Sequence, residues 1–196
     1  GCIYAAPAVT GDSVYIGSFD QYFYSLNRDT GSVRWRFKTS GIITSSPVIA
    51  GKNIYFGSHD GQLYALEAST GKPVWSFSVK GLVAAPPLVT PDRVYFGNVD
   101  PEEKSCFYCL DARTGQKLWD FPVGFGSMIG AAAWDGRTVY FGATDQRLYA
   151  LEAATGRLQW KKRISGSLEQ SLVIQDRVLY FGVLKFFYAI DCSGLR

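Results

Sequence analysis

Two cysteines close together in the chain, Cys106 and Cys109, come nearest to a metal-binding or redox pair in type and spacing. A structural zinc site needs four ligands, and the sequence contains no second pair of this kind. Residues three apart in a strand point to opposite faces, so the two sulfur atoms are badly placed to form a disulfide. We therefore expect a packing role for Cys109. The other two cysteines, Cys2 and Cys192, are too scattered to form a disulfide scaffold.

The single histidine and four regularly spaced aspartates are the other residues that suit acid–base or metal chemistry. The aspartates are Asp20, Asp60, Asp100 and Asp145, and His59 directly precedes the second of them. Each aspartate lies in a short polar segment, and aspartate in a turn commonly hydrogen-bonds its own backbone. We therefore predict that these residues close turns and that His59 is a surface turn residue. We predict no catalytic residue and no metal ligand among them.

The composition limits the function classes. Of 196 residues, 47% are hydrophobic and 15% aromatic, and 21 are glycine, which is too apolar for a disordered chain and suits many tight turns. The net charge of +3 arises from 20 basic and 17 acidic residues mixed along the sequence, so no basic stripe for nucleic acid is present. No apolar run is long enough to span a membrane, which takes about 18 residues.

Two landmarks recur in step along the whole chain. The first is a strand-like segment ending in Gly, and the second is Thr-Gly followed four residues later by Trp. The first occurs at residues 14–17, 54–57, 94–97, 139–142 and 179–182, and the second at 30–35, 70–75, 114–119 and 155–160. Both landmarks keep a period of about 40 residues, so the chain is built from repeats.

Each repeat has the periodicity of four short strands. In the second repeat the predicted strands are residues 46–50, 54–57, 62–66 and 73–77, separated by turn residues such as those at 51–53 and 58–61. No apolar pattern with a helical period persists for ten residues, so helices should be negligible. Four antiparallel strands per repeat of this length are typical of a β-propeller blade. The tryptophans are then expected to pack one blade on the next.

The second landmark resembles the tryptophan-docking motif A-x-D-x-x-T-G-x-x-x-W of the pyrroloquinoline-quinone-like repeat family. Residues 65–75 read A-L-E-A-S-T-G-K-P-V-W, and residues 25–35, 109–119 and 150–160 are similar copies. The resemblance implies that the motif residues dock neighbouring blades. These residues are Trp35, Trp75, Trp119 and Trp160, with Gly31, Gly71, Gly115 and Gly156.

The fifth copy departs from the motif, because it begins at Ala189 and the sequence reaches Arg196 before a tryptophan. We predict one all-β domain of five blades, approximately 1–38, 39–78, 79–122, 123–163 and 164–196, with the last blade lacking its fourth strand. Family members usually close with seven or eight blades. We therefore expect either a fragment of a larger propeller or a small one that self-associates through the incomplete blade.

The resemblance leaves several function classes open. Some members are dehydrogenases that bind pyrroloquinoline quinone and Ca²⁺ beside two adjacent, disulfide-bonded cysteines, and others are non-catalytic scaffolds. This chain has no adjacent cysteine pair. We therefore predict a non-catalytic module that binds protein and holds no cofactor. The alternative is a quinone-binding dehydrogenase domain or its remnant. The family resemblance alone slightly favours a periplasmic or other extracytoplasmic location.

The loops that join strand two to strand three, and one blade to the next, should share one face of the propeller. This face contains basic, aromatic and flexible apolar side chains, which are common at protein interfaces. The third repeat adds an insertion of charged residues at 101–104, which either has no function or is a contact site for a partner. The candidate interaction residues are Lys38, His59, Glu102, Glu103, Phe125, Met128 and Arg163.

Overall fold

The computed structural model describes residues 1–100, 102, 105–124, 126–128, 130–183 and 185–192. All helical or strand structure in these ranges is β-strand, as the sequence predicts. Within the same ranges, no helix has the length and apolar character that crossing a membrane requires.

The strands form five antiparallel sheets in which sequence neighbours pair. Blade 1 contains β1 (Ala8–Thr10), β2 (Ser13–Gly17), β3 (Tyr22–Asn27) and β4 (Val33–Lys38). Blade 2 contains β5 (Val48–Ala50), β6 (Asn53–Gly57), β7 (Gln62–Glu67) and β8 (Pro73–Ser78). Blade 3 contains β9 (Leu88–Val89), β10 (Arg93–Gly97), β11 (Ser105–Asp111) and β12 (Lys117–Gly124). Blade 4 contains β13 (Ala133–Trp134), β14 (Thr138–Ala143), β15 (Arg147–Glu152) and β16 (Leu158–Arg163). Blade 5 contains β17 (Val173–Gln175), β18 (Val178–Val183) and β19 (Phe186–Asp191).

The core lies between successive blades rather than inside any one of them. Each of four apolar clusters draws its buried residues mainly from two neighbouring blades. Phe23 of blade 1 stacks on Phe56 of blade 2 with ring centroids 4.0 Å apart, and Phe107 of blade 3 stacks on Phe141 of blade 4 at 4.1 Å. A single four-stranded sheet exposes both faces, and stacking covers them. The predicted β-propeller fold is confirmed.

Three tryptophans each reach across to the following blade. The indole Nε1–H of Trp35 donates to the carbonyl oxygen of Ala68 at 3.1 Å. Trp75 donates to Ala112 at 3.0 Å, and Trp119 donates to Ala153 at 3.1 Å. In the same interfaces, the hydroxyl groups of three tyrosines donate to the same three carbonyls, and these are Tyr15, Tyr55 and Tyr95. Trp160 packs against the cluster between blades 4 and 5.

The motif glycines lie directly beneath those indole rings. A Cβ built at Gly115 would lie 2.7 Å from the Trp75 ring, and one at Gly156 would lie 2.7 Å from the Trp119 ring. Gly71 lies in the same way beneath Trp35. At Gly31, in the first blade, a Cβ would meet nothing within 4 Å. The motif therefore works across a blade interface, with the indole on one side and the glycine on the other.

A second set of glycines lies at or next to the end of the second strand of each blade, and those of blades 1 to 4 receive an apolar side chain from the connection that follows. In blade 2, Gly57 receives Val83, and in blade 3, Gly97 receives Met128. Met128 is only 1% exposed. The prediction that Met128 belongs to a surface interaction face is therefore wrong, because its thioether fills the space that this glycine leaves open.

Blade 5 has three strands within the described residues, and its third strand carries two exposed aromatic rings. Phe186 is 61% exposed and Phe187 is 74% exposed. Leu63 is the residue of blade 2 equivalent to Phe187, and it is completely buried in the cluster between blades 2 and 3. Self-association through this face remains a prediction.

Candidate functional site

The turns between second and third strands lie against the connections between blades. The backbone N–H of His59 donates to the carbonyl of Ile42 at 2.9 Å, and that of Thr144 donates to Ser127 at 3.0 Å. Leu82 and Val99 exchange a pair of such bonds. We call this surface the loop face; it comprises turns 18–21, 58–61, 98–100 and 144–146 with connections 39–47, 79–87, 126–128 and 164–172.

The recurring aspartates use their carboxylates to close the turns of the loop face. Oδ1 of Asp60 accepts the backbone N–H of Gln62 at 3.1 Å, and its Oδ2 accepts the hydroxyl of Tyr64 at 2.9 Å. Asp20 makes the same two contacts with Tyr22 and Tyr24. These contacts are those of turn residues.

Burial and these hydrogen bonds together shift the pKa values of Asp20 and Tyr64. Burial alone raises the pKa of Asp20, but the hydrogen bonds from Tyr24, Tyr22 and Ser18 outweigh it and hold that pKa below its ordinary value. Burial raises the pKa of Tyr64, and its bond to Asp60 raises it further. Within the described residues, no three His, Cys, Asp or Glu side chains come close enough together to hold a metal ion.

Blade 1 presents a basic and aromatic patch beside the loop face. Two cations lie close to the ring of Tyr22, with the Arg36 guanidinium 4.8 Å and the Lys38 ammonium 4.5 Å from the ring centroid. Both basic side chains are exposed. Lys38 Nζ also donates to Oε1 of Gln21 at 3.0 Å. We call Tyr22, Arg36 and Lys38 the basic patch.

Blade 4 repeats part of this arrangement. Nη2 of Arg163, the last residue of β16, donates to Oε1 of Gln146 at 3.4 Å. Gln146 and its counterpart Gln21 both have left-handed backbones, with φ values of 64° and 69°. Sequence reasoning named Lys38 and Arg163 but missed Tyr22 and Arg36. The available signal was strand pairing, because Tyr22 lies directly opposite Lys38 in the register of β3 with β4.

The remaining predicted residues have different outcomes. His59 is half-buried, and its Nε2 lies 2.8 Å from Oγ1 of Thr44. Glu102 is exposed, and its backbone N–H donates to Oδ1 of Asp100 at 3.0 Å. Glu103 and Phe125 lie outside the described residues. Lys38, His59 and Arg163 belong to three different blades, so the face they mark is broad.

The environment of His59 predicts a pH dependence of folding. Burial lowers the pKa of His59, although the nearby charge of Asp60 opposes the effect. The unfolded chain therefore binds this proton more tightly. Neutral His59 makes its full contribution to the free energy of unfolding well above the ordinary histidine pKa of about 6.5. That contribution is lost as the pH falls through this value toward the lower pKa of His59 in the folded protein.

We expect replacement by threonine, the residue at the equivalent turn position in blade 4, to weaken this dependence. Urea unfolding of wild type and His59→Thr at about pH 7.5 and pH 5 measures it. The variant should lose less free energy of unfolding on acidification than wild type does. Carboxylates contribute equally to both proteins, so equal losses would contradict the assignment to His59.

Comparison with known proteins places this geometry in a family. The family described as outer membrane protein assembly factor BamB matches residues 20–105 and 103–191. Among curated proteins, the quinohemoprotein alcohol dehydrogenase of Comamonas testosteroni is 37% identical over 81 residues, covering 36% of this chain and 11% of that protein. The chain therefore spans about a tenth of that relative's length.

Solved structures share the fold at low sequence identity. BamB from Moraxella catarrhalis superposes with a TM-score of 0.83 at 21% identity, covering 98% of this chain and 62% of that one. A europium-containing methanol dehydrogenase superposes with a TM-score of 0.84 at 15% identity, covering 100% of this chain and 50% of that one. An outer membrane protein assembly factor and an enzyme thus share this architecture, so the fold by itself does not select between such functions.

Proposed function

Because the chain belongs to the PQQ-type repeat family described as outer membrane protein assembly factor BamB, we propose that it is a non-catalytic binding module. Its loop face and the adjoining basic patch hold a partner protein. The recurring polar groups support this role, because the turn aspartates and the docking tryptophans are already engaged in contacts within the fold. The side chains left at the surface are those that suit a contact rather than a reaction.

The basic patch is the observation that carries the proposal. Arg36 and Lys38 lie close to the Tyr22 ring and are exposed, and neither forms an ion pair with a carboxylate of the described residues. Arginine and tyrosine are enriched in protein interfaces, and complementary charge speeds association and selects partners. Arg163 extends the positive charge to blade 4. The partner that fits this surface is a protein segment rich in Asp and Glu.

Removing the positive charge from this surface tests the proposal. We expect the triple variant Arg36→Ala, Lys38→Ala, Arg163→Ala to recover at least about tenfold less partner, a loss of about 1.4 kcal/mol in binding. Immobilised wild-type and variant proteins are incubated with a cell extract of the organism whose genome encodes the protein. Captured proteins are then compared by quantitative mass spectrometry and confirmed by titration with the purified partner.

A matched double variant controls for the loss of charge alone. Lys117 and Arg157 are exposed and ion-paired with Asp120 and Glu152. Lys117 begins β12 and Arg157 directly precedes β16, so both lie at the end of their blades opposite to the loop face. Lys117→Ala with Arg157→Ala should recover as much partner as wild type. Equal recovery by the triple variant, with an unchanged unfolding midpoint, would remove the loop face and basic patch as the binding site.

The similarity to quinone-dependent alcohol dehydrogenases raises the alternative of a quinone cofactor with Ca²⁺. The described side chains do not fit that group. No disulfide joins Cys106 to Cys109, and Cys109 is buried in the apolar cluster between blades 3 and 4. A calcium ion takes six to eight oxygen ligands. The carboxylates of Asp20 and Asp60 already accept hydrogen bonds from backbone amides and tyrosine hydroxyl groups. We therefore propose that this part of the protein binds no quinone.

Family membership also supports a proposal about location. The family is named for the assembly of outer membrane proteins, and we propose a periplasmic or other extracytoplasmic location for this chain. The mixed charge distribution supports protein rather than nucleic acid as the partner.

A further inference from the structure

A cavity opens between blades 1 and 2 at the end of the strands opposite to the loop face. Its volume is about 300 Å³, which is at the lower limit for small-molecule sites. Ser13, at the start of β2, and Ser25, in the middle of β3, line it from blade 1. Lys52 and Ala68 line it from blade 2. The partner-binding surface proposed above lies elsewhere, so this cavity is a separate feature.

A buried hydroxyl group in the wall of this cavity has no hydrogen-bond partner. Ser25 is 1% exposed, and its Oγ bonds to no atom of the described residues. Blades 2 and 4 place Ala65 and Ala150 at the same position of the strand, each opposite the docking tryptophan. Blade packing therefore does not require a hydroxyl here. Buried polar groups are almost always paired, so a molecule in the cavity is the natural partner of this Oγ.

The charges around the cavity favour an anion. Asp12 and Arg34 form an ion pair, and the bond from Arg34 holds the pKa of the Asp12 carboxyl below its ordinary value. This pair is neutral as a unit. Lys52 adds an exposed ammonium group that forms no ion pair with the described residues. The cavity thus carries one net positive charge beside several hydroxyl groups.

The chain itself shows how this space is closed elsewhere. Arg93 begins β10 as Ser13 begins β2, and each pairs with the final residue of the third strand of its blade. Nη1 of Arg93 donates to the carbonyl oxygens of Ala153 and Ala154 at 2.9 Å each. Ala153 is the counterpart of Ala68, since each accepts a docking indole. A guanidinium therefore fills the interface between blades 3 and 4, whereas serine is too short to fill the first.

From these observations we propose that the cavity binds a small hydroxylated carboxylate. Its carboxylate lies near Lys52 and the Arg34 guanidinium, and one of its hydroxyl groups bonds Oγ of Ser25. This site is independent of the partner binding proposed for the loop face.

The test uses sodium D-gluconate as the probe, followed by isothermal titration calorimetry and by thermal unfolding. Wild type should bind it saturably and more tightly than either acetate, which has no hydroxyl group, or D-glucose, which has no charge. Ser25→Ala should weaken binding about threefold to tenfold, the effect of one hydrogen bond. The unliganded Ser25→Ala variant should be at least as stable as wild type, because alanine stands at this position in blades 2 and 4.

A plugging variant that copies the arginine of blade 3 provides the decisive comparison. Ser13→Arg should fill the cavity and abolish gluconate binding while keeping the wild-type unfolding midpoint or raising it. If this variant fails to fold, Lys52→Met takes its place and should lose most of the preference for gluconate over glucose. Absence of saturable binding to wild type would overturn the proposal. So would wild-type affinity in both Ser25→Ala and the cavity-directed variant, or equal affinity for acetate and gluconate.

Discussion

Replacing Trp75 with alanine should destabilise the protein by about 3–5 kcal/mol, the usual range for truncation of a buried aromatic residue. Trp75 is 9% exposed and packs in the cluster between blades 2 and 3. Its indole covers Gly115, and its Nε1–H donates a hydrogen bond to the carbonyl oxygen of Ala112 at 3.0 Å. Alanine therefore removes both the apolar contact and one of the donors that link the two blades. Equilibrium unfolding in urea, monitored by far-ultraviolet circular dichroism, measures the loss.

A pair of phenylalanine variants separates the hydrogen bond from the packing. Trp75→Phe keeps an aromatic ring but deletes the N–H, and should cost about 1–2 kcal/mol. Trp134, in β13, is the matched control, because its Nε1 is buried without a hydrogen-bond partner among the described residues. Trp134→Phe removes an unpaired polar group, so its cost should be smaller by about 1 kcal/mol. Equal costs at the two positions would show that the bond to Ala112 contributes nothing.

The blade architecture follows from short-range sequence signals. The Thr-Gly and Trp landmarks fix where each outer strand begins and where its indole lies, and alternation of apolar residues fixes the inner strands. In blade 2 the predicted strand 73–77 is observed as Pro73–Ser78, and 62–66 is observed as Gln62–Glu67. A repeat makes such predictions secure, because each copy of the pattern tests the others.

The prediction for Met128 fails because the repeat is interrupted before it. The insertion at 101–104 and one further extra residue between Trp119 and Met128 lengthen this repeat. Counting forward from Gly97 therefore misses the position that Ile43, Val83 and Leu168 occupy after their glycines. Counting from the next repeat instead of the previous one places Met128 at the same position. Its flexible side chain suits an irregular gap in a core as well as an adaptable surface, so the residue type alone does not distinguish the two.

The basic patch and the cavity depend on contacts that the residue types alone do not show. Tyr22 receives two cations only because β4 returns in a register that puts Lys38 opposite it. The cavity depends on Ser13 being short where Arg93 is long, and this difference acquires meaning only when the neighbouring blade is in place. Sequence reasoning thus reaches least well the side-chain contacts between paired strands and between neighbouring blades.

Adding one methyl group at Gly57 should destabilise the protein by about 2–3 kcal/mol, within the range for overpacking a core. A Cβ at this position would lie 2.5 Å from the carbonyl oxygen of Val83 and 2.8 Å from its Cβ. Backbone and branched carbon atoms cannot rotate aside, so the connection must move away from blade 2. Val83 is completely buried, and its displacement would open the cluster between blades 2 and 3. Urea unfolding of Gly57→Ala measures the effect.

The same substitution at Gly182 is the matched control. Gly57 and Gly182 are the last residues of the recurring segments 54–57 and 179–182, and each pairs with the third strand of its blade. At Gly182 a Cβ would meet no atom of the described residues within 4 Å. Alanine in a strand loses less backbone entropy than glycine by roughly 0.5–1 kcal/mol. Gly182→Ala should therefore be neutral or slightly stabilising. The difference between the two changes in stability measures the close approach of Val83 to Gly57. Equal changes would mean that Gly57 is not needed for blades 2 and 3 to pack.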